Sequence, residues 1–513
     1  MTLRKLLKSL TSRLSLTVLL ILIQVVFFFV MLLRLGDLFI YLDLVLYFLS
    51  IVLTIYLIND DNKSPSLKLP WILAIVLFPL LGGIGYLLFG RNAVEHDAIL
   101  LRNTITTKLK DYYGSNHLQV KLAEKNKYYA TDASYIHKVS NAVLHNNTKS
   151  EYFPIGEAMF DKLCEMLEKA EHYIFLEFFI VQEGEMFDKV LDILKDKANK
   201  GVEVRFIYDD LGCIKTLPGD YYKKLESYGI KCGVFNPFRP IVSIIHNNRN
   251  HRKIAVVDGY MGISGGINLA DEYINKRERF GHWKDTAIYL EGEAVHNLTL
   301  LFLEDWYYCR NEMEDYGEYA PFKYAPNVIE SDGYYQSYGD SPLDEELCAQ
   351  NVFINVLSHS TDYVYITTPY LIIDYDFLNS IKLAAKRGID IRIITPHIPD
   401  KWYVHMLTRA FYHSLLDAGV RIYEYTPGFI HAKTMVSDDS VAIVGTINLD
   451  YRSLVHNYEC ATIMYYSSTC MDIKADFEKT LEVCEEMTID NLPKHNLVYE
   501  VVMNIIKLFA PLM

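Results

Sequence analysis

The sequence predicts an α/β protein built from two similar halves, preceded by a run of apolar helices. Three observations carry this. Short apolar strands alternate with helical stretches after residue 110, their order repeats once along the chain, and one short motif recurs at the matching place in each copy.

The amino-terminal region comes first. Residues 14–33 carry no formal charge, and 38–58 and 69–89 are also strongly apolar. Each is about long enough to cross a bilayer as a helix, and no Ala-x-Ala-like cleavage site follows the first. Residues 1–92 are therefore expected to form a membrane anchor, and 93–150 a connecting helical segment. The lysines and arginines flanking the three segments do not orient it.

The first half is expected over 151–310. Glu157–His172 has helical periodicity, Tyr173–Ile180 reads as a strand, Met186–Asn199 as a helix and Gly201–Tyr208 as the next strand. The second half, 345–500, repeats this order with Gln350–Ser358, Tyr363–Ile366, Phe377–Lys386 and Gly388–Ile394. Such βαβ units imply a largely parallel sheet in each half. Between them, 311–344 is acidic and rich in Tyr, Gly and Pro, as expected of a linker or lid. The apolar tail 501–513 fits either a helix docked on the core or a contact with a membrane surface.

Bulk properties exclude some functions. The 513 residues carry a net charge of −14, which argues against a nucleic acid partner. The eight cysteines are scattered without metal-ligand spacing and suggest no disulfide scaffold.

The chemistry lies in the recurring motif. His251-x-Lys253 is followed by Asp258, and His431-x-Lys433 by Asp438, at the same spacing. Each copy continues to a small-residue corner and an asparagine, Gly265-Gly266-Ile267-Asn268 and Gly445-Thr446-Ile447-Asn448. On a strand, residues i and i+2 face the same side, so each imidazole and ammonium share a pocket. Two such edges meeting across a pseudo-twofold surround one phosphate with two histidines and two lysines. The lysines neutralise charge developing on the phosphate oxygens, the Asn268 and Asn448 amides can donate to them, and the glycines allow close backbone approach. One histidine attacks phosphorus while the other protonates the leaving alkoxide. The near-symmetric pattern does not order the two roles, and no metal or other cofactor is called for. Asp285, 34 residues after His251, and Glu459, 28 after His431, are candidate histidine-orienting carboxylates. Asp258 and Asp438 end their strands at turns and read as structural. His246, His282, His397 and His405 lack the motif's support.

These residues resemble the phospholipase D superfamily, with its His-x-Lys-x4-Asp motif. Within it, Arg249–Gly259, Ser264–Tyr273, Phe302-x-x-Asp305-Trp306, Tyr423–Lys433, Gly445–Ser453 and the Lys507–Met513 ending are similar to bacterial cardiolipin synthases. The resemblance implies two duplicated phospholipase D-like α/β sandwich halves behind transmembrane helices, in a multi-pass protein of the bacterial cell membrane with a cytoplasmic catalytic region. It implies phosphatidylglycerol as both donor and acceptor, the lipid bilayer as partner, His251 as nucleophile and His431 as general acid and base. A hydrolase, or a transferase to another alcohol, would use the same residues.

Overall fold

The computed structural model describes residues 26, 37–61, 64–90, 96–115, 117–237, 248–312, 314–320, 323–325, 329, 331–343, 346–493 and 496–512. The chain forms two compact units, one of residues 1–96, 238–246 and 512, the other of 97–237, 247–511 and 513.

The first unit contains α1 (Asp37–Ile58), α2 (Pro65–Leu77) and α3 (Pro79–Gly85), followed by a π-helical turn over Tyr86–Gly90. Leu57, Ile75 and Tyr86 are buried together against Leu53, Trp71 and Ile72. This corrects the expected anchor over 1–92. Among the described residues no helix is long and apolar enough to cross a membrane. The segment expected over 69–89 is broken at Phe78, whose φ of −134° and ψ of 73° leave the helical region. Pro79 enforces this, because its ring crowds the preceding residue out of the α conformation. In α1, Asp37 and Asp43 confine the uninterrupted apolar run to Leu44–Ile58, short of the roughly 20 residues a spanning helix needs. Apart from residue 26, the 14–33 segment lies outside the described residues. The transmembrane and multi-pass cell-membrane expectations fall with this finding.

In the second unit α4 (His96–Tyr113), α5 (Leu118–Lys125) and α6 (Lys127–Ser140) precede the first half. That half contains β1 (Thr148–Phe153), α7 (Gly156–Glu168), β2 (Tyr173–Phe178), α8 (Glu185–Asn199), β3 (Glu203–Asp209), β4 (Lys231–Phe235), β5 (Arg249–Asn250), β6 (Ile254–Val257), β7 (Met261–Gly265), β8 (His282–Lys284), β9 (Ala287–Gly292) and α9 (Val295–Arg310). The second contains β10 (Tyr334–Asp340), α10 (Cys348–His359), β11 (Tyr363–Thr367), β12 (Leu371–Ile372), α11 (Tyr375–Lys386), β13 (Asp390–Pro396), α12 (Trp402–Leu416), β14 (Arg421–Tyr425), β15 (Gly428–Ile430), β16 (Thr434–Ser437), β17 (Val441–Gly445), β18 (Leu449–Asp450), β19 (Asn457–Tyr465), α13 (Thr469–Leu481) and β20 (Cys484–Met487).

The duplication is explicit in strand order. The first sheet runs β1-β9-β7-β6-β2-β3-β4, and the second runs β10-β19-β17-β16-β11-β13-β14 with β20 added at its edge. Apolar side chains of α7 and α8, among them Leu163, Leu167, Phe187 and Leu194, pack on β2, β3 and β6 through Ile174, Leu176, Phe206 and Ala255. The sheets are mixed, not largely parallel as expected. Along the strand orders just given, the strands joined by helical crossovers are parallel, β2 to β3 to β4 and β11 to β13 to β14. The motif strands are hairpins, β6 with β7 and β16 with β17, so they pair antiparallel. Their turns place Asp258 (φ 50°), Gly259 (φ 70°), Asp438 (φ 51°) and Asp439 (φ 55°) in the left-handed region that tight turns use.

The 311–344 linker expectation is also corrected. Residues 334–340 form β10, which is buried throughout and pairs along its length with β19. Before it, Glu314 and Tyr319 are fastened to β3 by Arg205, which donates to Glu314 Oε1 at 2.5 Å and to Tyr319 at 2.6 Å. At the carboxyl end α14 (Leu497–Phe509) lies against α12, with Lys507 Nζ 4.4 Å from the centre of the Phe411 ring.

Asp258 and Asp438 do the same work in each half. Asp258 accepts from the backbone amides of Glu171, His172 and Tyr173, each at 2.8 Å. Asp438 accepts from those of Thr361, Asp362 and Tyr363 at 2.7 to 3.0 Å. Each carboxylate thereby ties the hairpin turn to the start of the neighbouring strand. Replacing Asp258 by Ala leaves three amides, that of buried Tyr173 among them, without their acceptor. The variant should lose about 3 kcal/mol of stability and several degrees of Tm, read by thermal unfolding against the wild type.

Candidate active site

The two halves are stitched together beside each histidine. β5 pairs with the start of β19, so Arg249 faces Asn457 and Asn250 faces Tyr458. β15 pairs with β8, so Phe429 faces Trp283 and Ile430 faces Lys284. The register continues into the motifs. The His251 amide donates to the Tyr458 carbonyl at 2.9 Å and the His431 amide to the Lys284 carbonyl at 2.7 Å. Tyr458 immediately precedes Glu459, and Lys284 immediately precedes Asp285.

Each histidine is consequently held by a carboxylate of the opposite half. His251 Nδ1 donates to Glu459 Oε2 at 2.9 Å, and His431 Nδ1 donates to Asp285 Oδ2 at 2.6 Å. Chain spacing places each carboxylate behind the histidine of its own half; the inter-half strand pairing crosses them. With Nδ1 carrying the hydrogen, Nε2 of each ring keeps its lone pair. Lys253 Nζ donates to the His251 carbonyl at 2.5 Å, and Lys433 Nζ makes the same bond to His431. The motif residues 251–253 and 431–433 lie in extended chain just ahead of β6 and β16, not within a strand.

Burial governs the electrostatics. His251 and His431 are 8% and 7% exposed. Desolvation lowers their pKa values to about 4 and about 3, against the opposing pull of Glu459 and Asp285. Desolvation likewise brings Lys253 down to about 7 and Lys433 to about 8, each opposed by those carboxylates. Burial pushes Glu459 up, but His251, Lys253 and Thr446 together hold it below the usual carboxylate range. The fold by itself thus favours neutral imidazoles and two lysines that are easily discharged.

The supporting residues differ between the halves. Thr446 Oγ1 donates to Glu459 Oε2, and Asn457 Nδ2 donates to its Oε1 at 3.2 Å. The equivalent Gly266 has no side chain, and a Cβ there would lie 2.1 Å from Asp285 Oδ1. Asn268 is not turned to a phosphate: its Oδ1 accepts from the Ile180 amide at 2.9 Å and its Nδ2 donates to Tyr273 at 2.8 Å. The buried Asn448 has an amide oxygen without a hydrogen-bond partner. Of the other histidines, His282 pairs with the Tyr425 hydroxyl at 2.9 Å and His397 with Glu424 at 2.9 Å. His405 is brought down to about 4 by burial and by Arg409, while His246 lies outside the described residues. Among the described residues no group of three or more His, Cys, Asp or Glu is placed to hold a metal ion.

Several site residues carried no motif of their own. Phe179 stands edge-on to His251, with ring centres 5.1 Å apart. Trp283, Phe429 and Tyr273 surround His431 at 5.5, 5.7 and 5.8 Å. Arg252, between the motif's His and Lys, points the other way. It donates to Asp305 at 2.8 Å and to the Glu459 carbonyl at 3.1 Å, which accounts for the Asp305-Trp306 pair singled out in the sequence. The alternation of the motif was the signal that could have found it.

Two copies of one α/β half, each lending a histidine and a lysine to a shared centre, define a duplicated phosphodiester-handling enzyme. The family described as "Cardiolipin synthase, PLD-like domain" matches residues 163–306 and 353–481, and a phospholipase D-nuclease amino-terminal family matches 48–91. A cardiolipin synthase of Geobacillus sp. (strain WCH70) is 34% identical, over 90% of this chain and 92% of its own. Cardiolipin synthase 2 of Bacillus anthracis is 33% identical over 88% of each chain. The crystal structure of a Haemophilus influenzae phosphatidylserine synthase, 14% identical, shares the fold with a TM-score of 0.54, over 75% of this chain and 98% of that one. The chain belongs to the phospholipase D superfamily, among the proteins related to bacterial cardiolipin synthases.

Gly266→Ala tests how finely the crossed pairs are set. The added methyl must displace the Asp285 carboxylate and with it His431. Turnover should fall about a hundredfold while the near-ultraviolet circular dichroism stays native, since about 1 Å of misplacement costs that much.

Proposed function

We propose that the chain is a cardiolipin synthase, transferring the phosphatidyl group of one phosphatidylglycerol to a glycerol hydroxyl of another. The observation that carries this reading is the pair of crossed, carboxylate-held histidines flanked by two lysines within one chain. The full-length likeness to proteins named cardiolipin synthase supports the choice of lipid.

In the first step Nε2 of His251 attacks phosphorus, and the bond to the headgroup oxygen breaks. His431, which takes up a proton on Nε2 as the phosphodiester binds, gives that proton to the oxygen, and glycerol leaves. In the second step the terminal hydroxyl of another phosphatidylglycerol gives its proton to His431 and attacks the phosphohistidine. The N–P bond breaks, cardiolipin is released, and both histidines return to their starting states. Glu459 and Asp285 hold the rings aligned and stabilise the positive charge each acquires. Lys253 and Lys433 neutralise the phosphate oxygens. A bound phosphodiester adds negative charge beside these groups, so it raises the proton affinity of His431 and of both lysines together.

This gives a definite pH dependence. In the free enzyme the lysines lose charge as pH rises through about 7 and 8, and the histidines gain it as pH falls through about 4 and 3. A plot of kcat/KM against pH should fall above roughly 7–8, and kcat should hold to higher pH because the bound phosphate keeps the lysines charged. Coincident upper limbs would contradict this.

The direct test is lipid analysis of the purified chain in phosphatidylglycerol vesicles. Cardiolipin and glycerol should appear in equal amounts and fall by more than about a thousandfold in both His251→Ala and His431→Ala. Phosphatidic acid in place of cardiolipin would make the protein a hydrolase.

A further inference from the structure

The pseudo-twofold is broken at one edge of the site. In the first half Val181 bridges Leu269, and in the second Leu371 pairs with Leu449. Ile180 and Ala270 therefore occupy the places that Tyr370 and Asp450 take in the second half. The first-half edge is apolar there, with Phe179 beside Ile180. The second-half edge is lined with oxygen.

The Tyr370 hydroxyl donates to Asp400 Oδ2 at 2.6 Å. Lys401 Nζ lies 3.8 Å from the same oxygen and 5.5 Å from the centre of the Tyr370 ring. Asp450 Oδ1 accepts from the Ser453 amide at 2.8 Å. The Gly445 amide donates to the Lys433 carbonyl at 3.4 Å, and Asn448 and Asp450 follow three and five residues further on, so this edge continues directly from the second motif. Asn448 stands two residues before Asp450, and residues two apart in extended chain share a side. It is 95% buried, and its Oδ1 has no donor, whereas its counterpart Asn268 is satisfied by the Ile180 amide. A buried acceptor left without a donor is costly, and a ligand hydroxyl is a group that would satisfy it.

We propose that this edge is a polyol subsite, in which Tyr370, Asp400, Asp450 and Asn448 accept hydrogen bonds from the hydroxyls of a glycerol bound next to Lys433. The assignment rests on the phosphatidyl-transfer reading and specifies the group that departs and enters. The edge presents four acceptors: the Tyr370 oxygen has given its hydrogen to Asp400, and the two carboxylates and the Asn448 oxygen have none to give. Such an edge matches a ligand with several O–H donors. An ammonium headgroup fits it less well, because Lys401 and Lys433 already supply positive charge beside the carboxylates.

The test uses the purified full-length chain with bis(4-nitrophenyl) phosphate as donor and equal concentrations of glycerol and ethanol as competing acceptors. The two captured diesters are quantified by mass spectrometry. Their ratio is read within one reaction, so changes in overall rate cancel. Two primary hydroxyls give glycerol about a twofold statistical advantage. The wild type should exceed that by about tenfold, and Asp400→Asn and Tyr370→Phe should each bring the ratio back towards the statistical value. A statistical ratio in the wild type, or a wild-type ratio in both variants, overturns the subsite. No nitrophenol release by the wild type overturns the phosphodiester chemistry and the subsite together. Glycerol selectivity without cardiolipin formation in vesicles overturns the choice of lipid and leaves the subsite standing.

Discussion

The hydrogen bond from each histidine to a carboxylate of the opposite half is the constraint on which the architecture depends. It exists because two short strand pairings, β5 with β19 and β8 with β15, run directly into the motifs and fix them in register. A slip of one residue at either pairing would turn the carboxylate to the other face. The buried anchors around these strands serve that register. Arg252 ties Asp305 to the Glu459 backbone, and Lys284 is held by Asp476 at 2.7 Å and the Pro154 carbonyl at 3.0 Å. Arg249, bound to Asp209 at 2.7 Å, secures the end of β5.

The same burial that aligns these groups sets their charge. Two lysines and two histidines lie in a space from which water is largely removed, with Glu459 and Asp285 the carboxylates hydrogen-bonded to the histidines. Without an anion, the charged form of each base is disfavoured. A phosphodiester supplies negative charge and is held by groups that have no solvent shell to lose. Electrostatic strength is therefore prepared by the fold before substrate arrives.

How far the site was legible from sequence depends on the kind of signal. The His-x-Lys pairs and their downstream asparagines were visible because they recur at one spacing, and recurrence is what separates a motif from chance. Asp285 and Glu459 were visible as carboxylates opening a further strand. Their crossing was not, since it is decided by pairing between segments more than a hundred residues apart. Strand direction was misjudged from the βαβ rhythm although Val257-Asp258-Gly259 marks a hairpin turn. The 69–89 segment read as one helix although Pro79 forbids the helical conformation at Phe78. The 311–344 stretch looked like a linker because its Tyr, Gly and Pro content hides β10, a strand buried throughout whose sequence has no apolar alternation. Tyr370 and Asp400 belong to no repeated pattern and emerge only when the halves are laid over one another.

The crossing also orders events in time. Glu459 is among the last active-site groups to leave the ribosome, more than 200 residues after the histidine it holds. Half-domains made first fold first, so the amino-terminal half must stand complete in outline with His251 unaligned until the final sheet closes on it. The nascent chain is in this sense its own proenzyme: a chain that stops short of Glu459 carries the first motif without the carboxylate that aligns it.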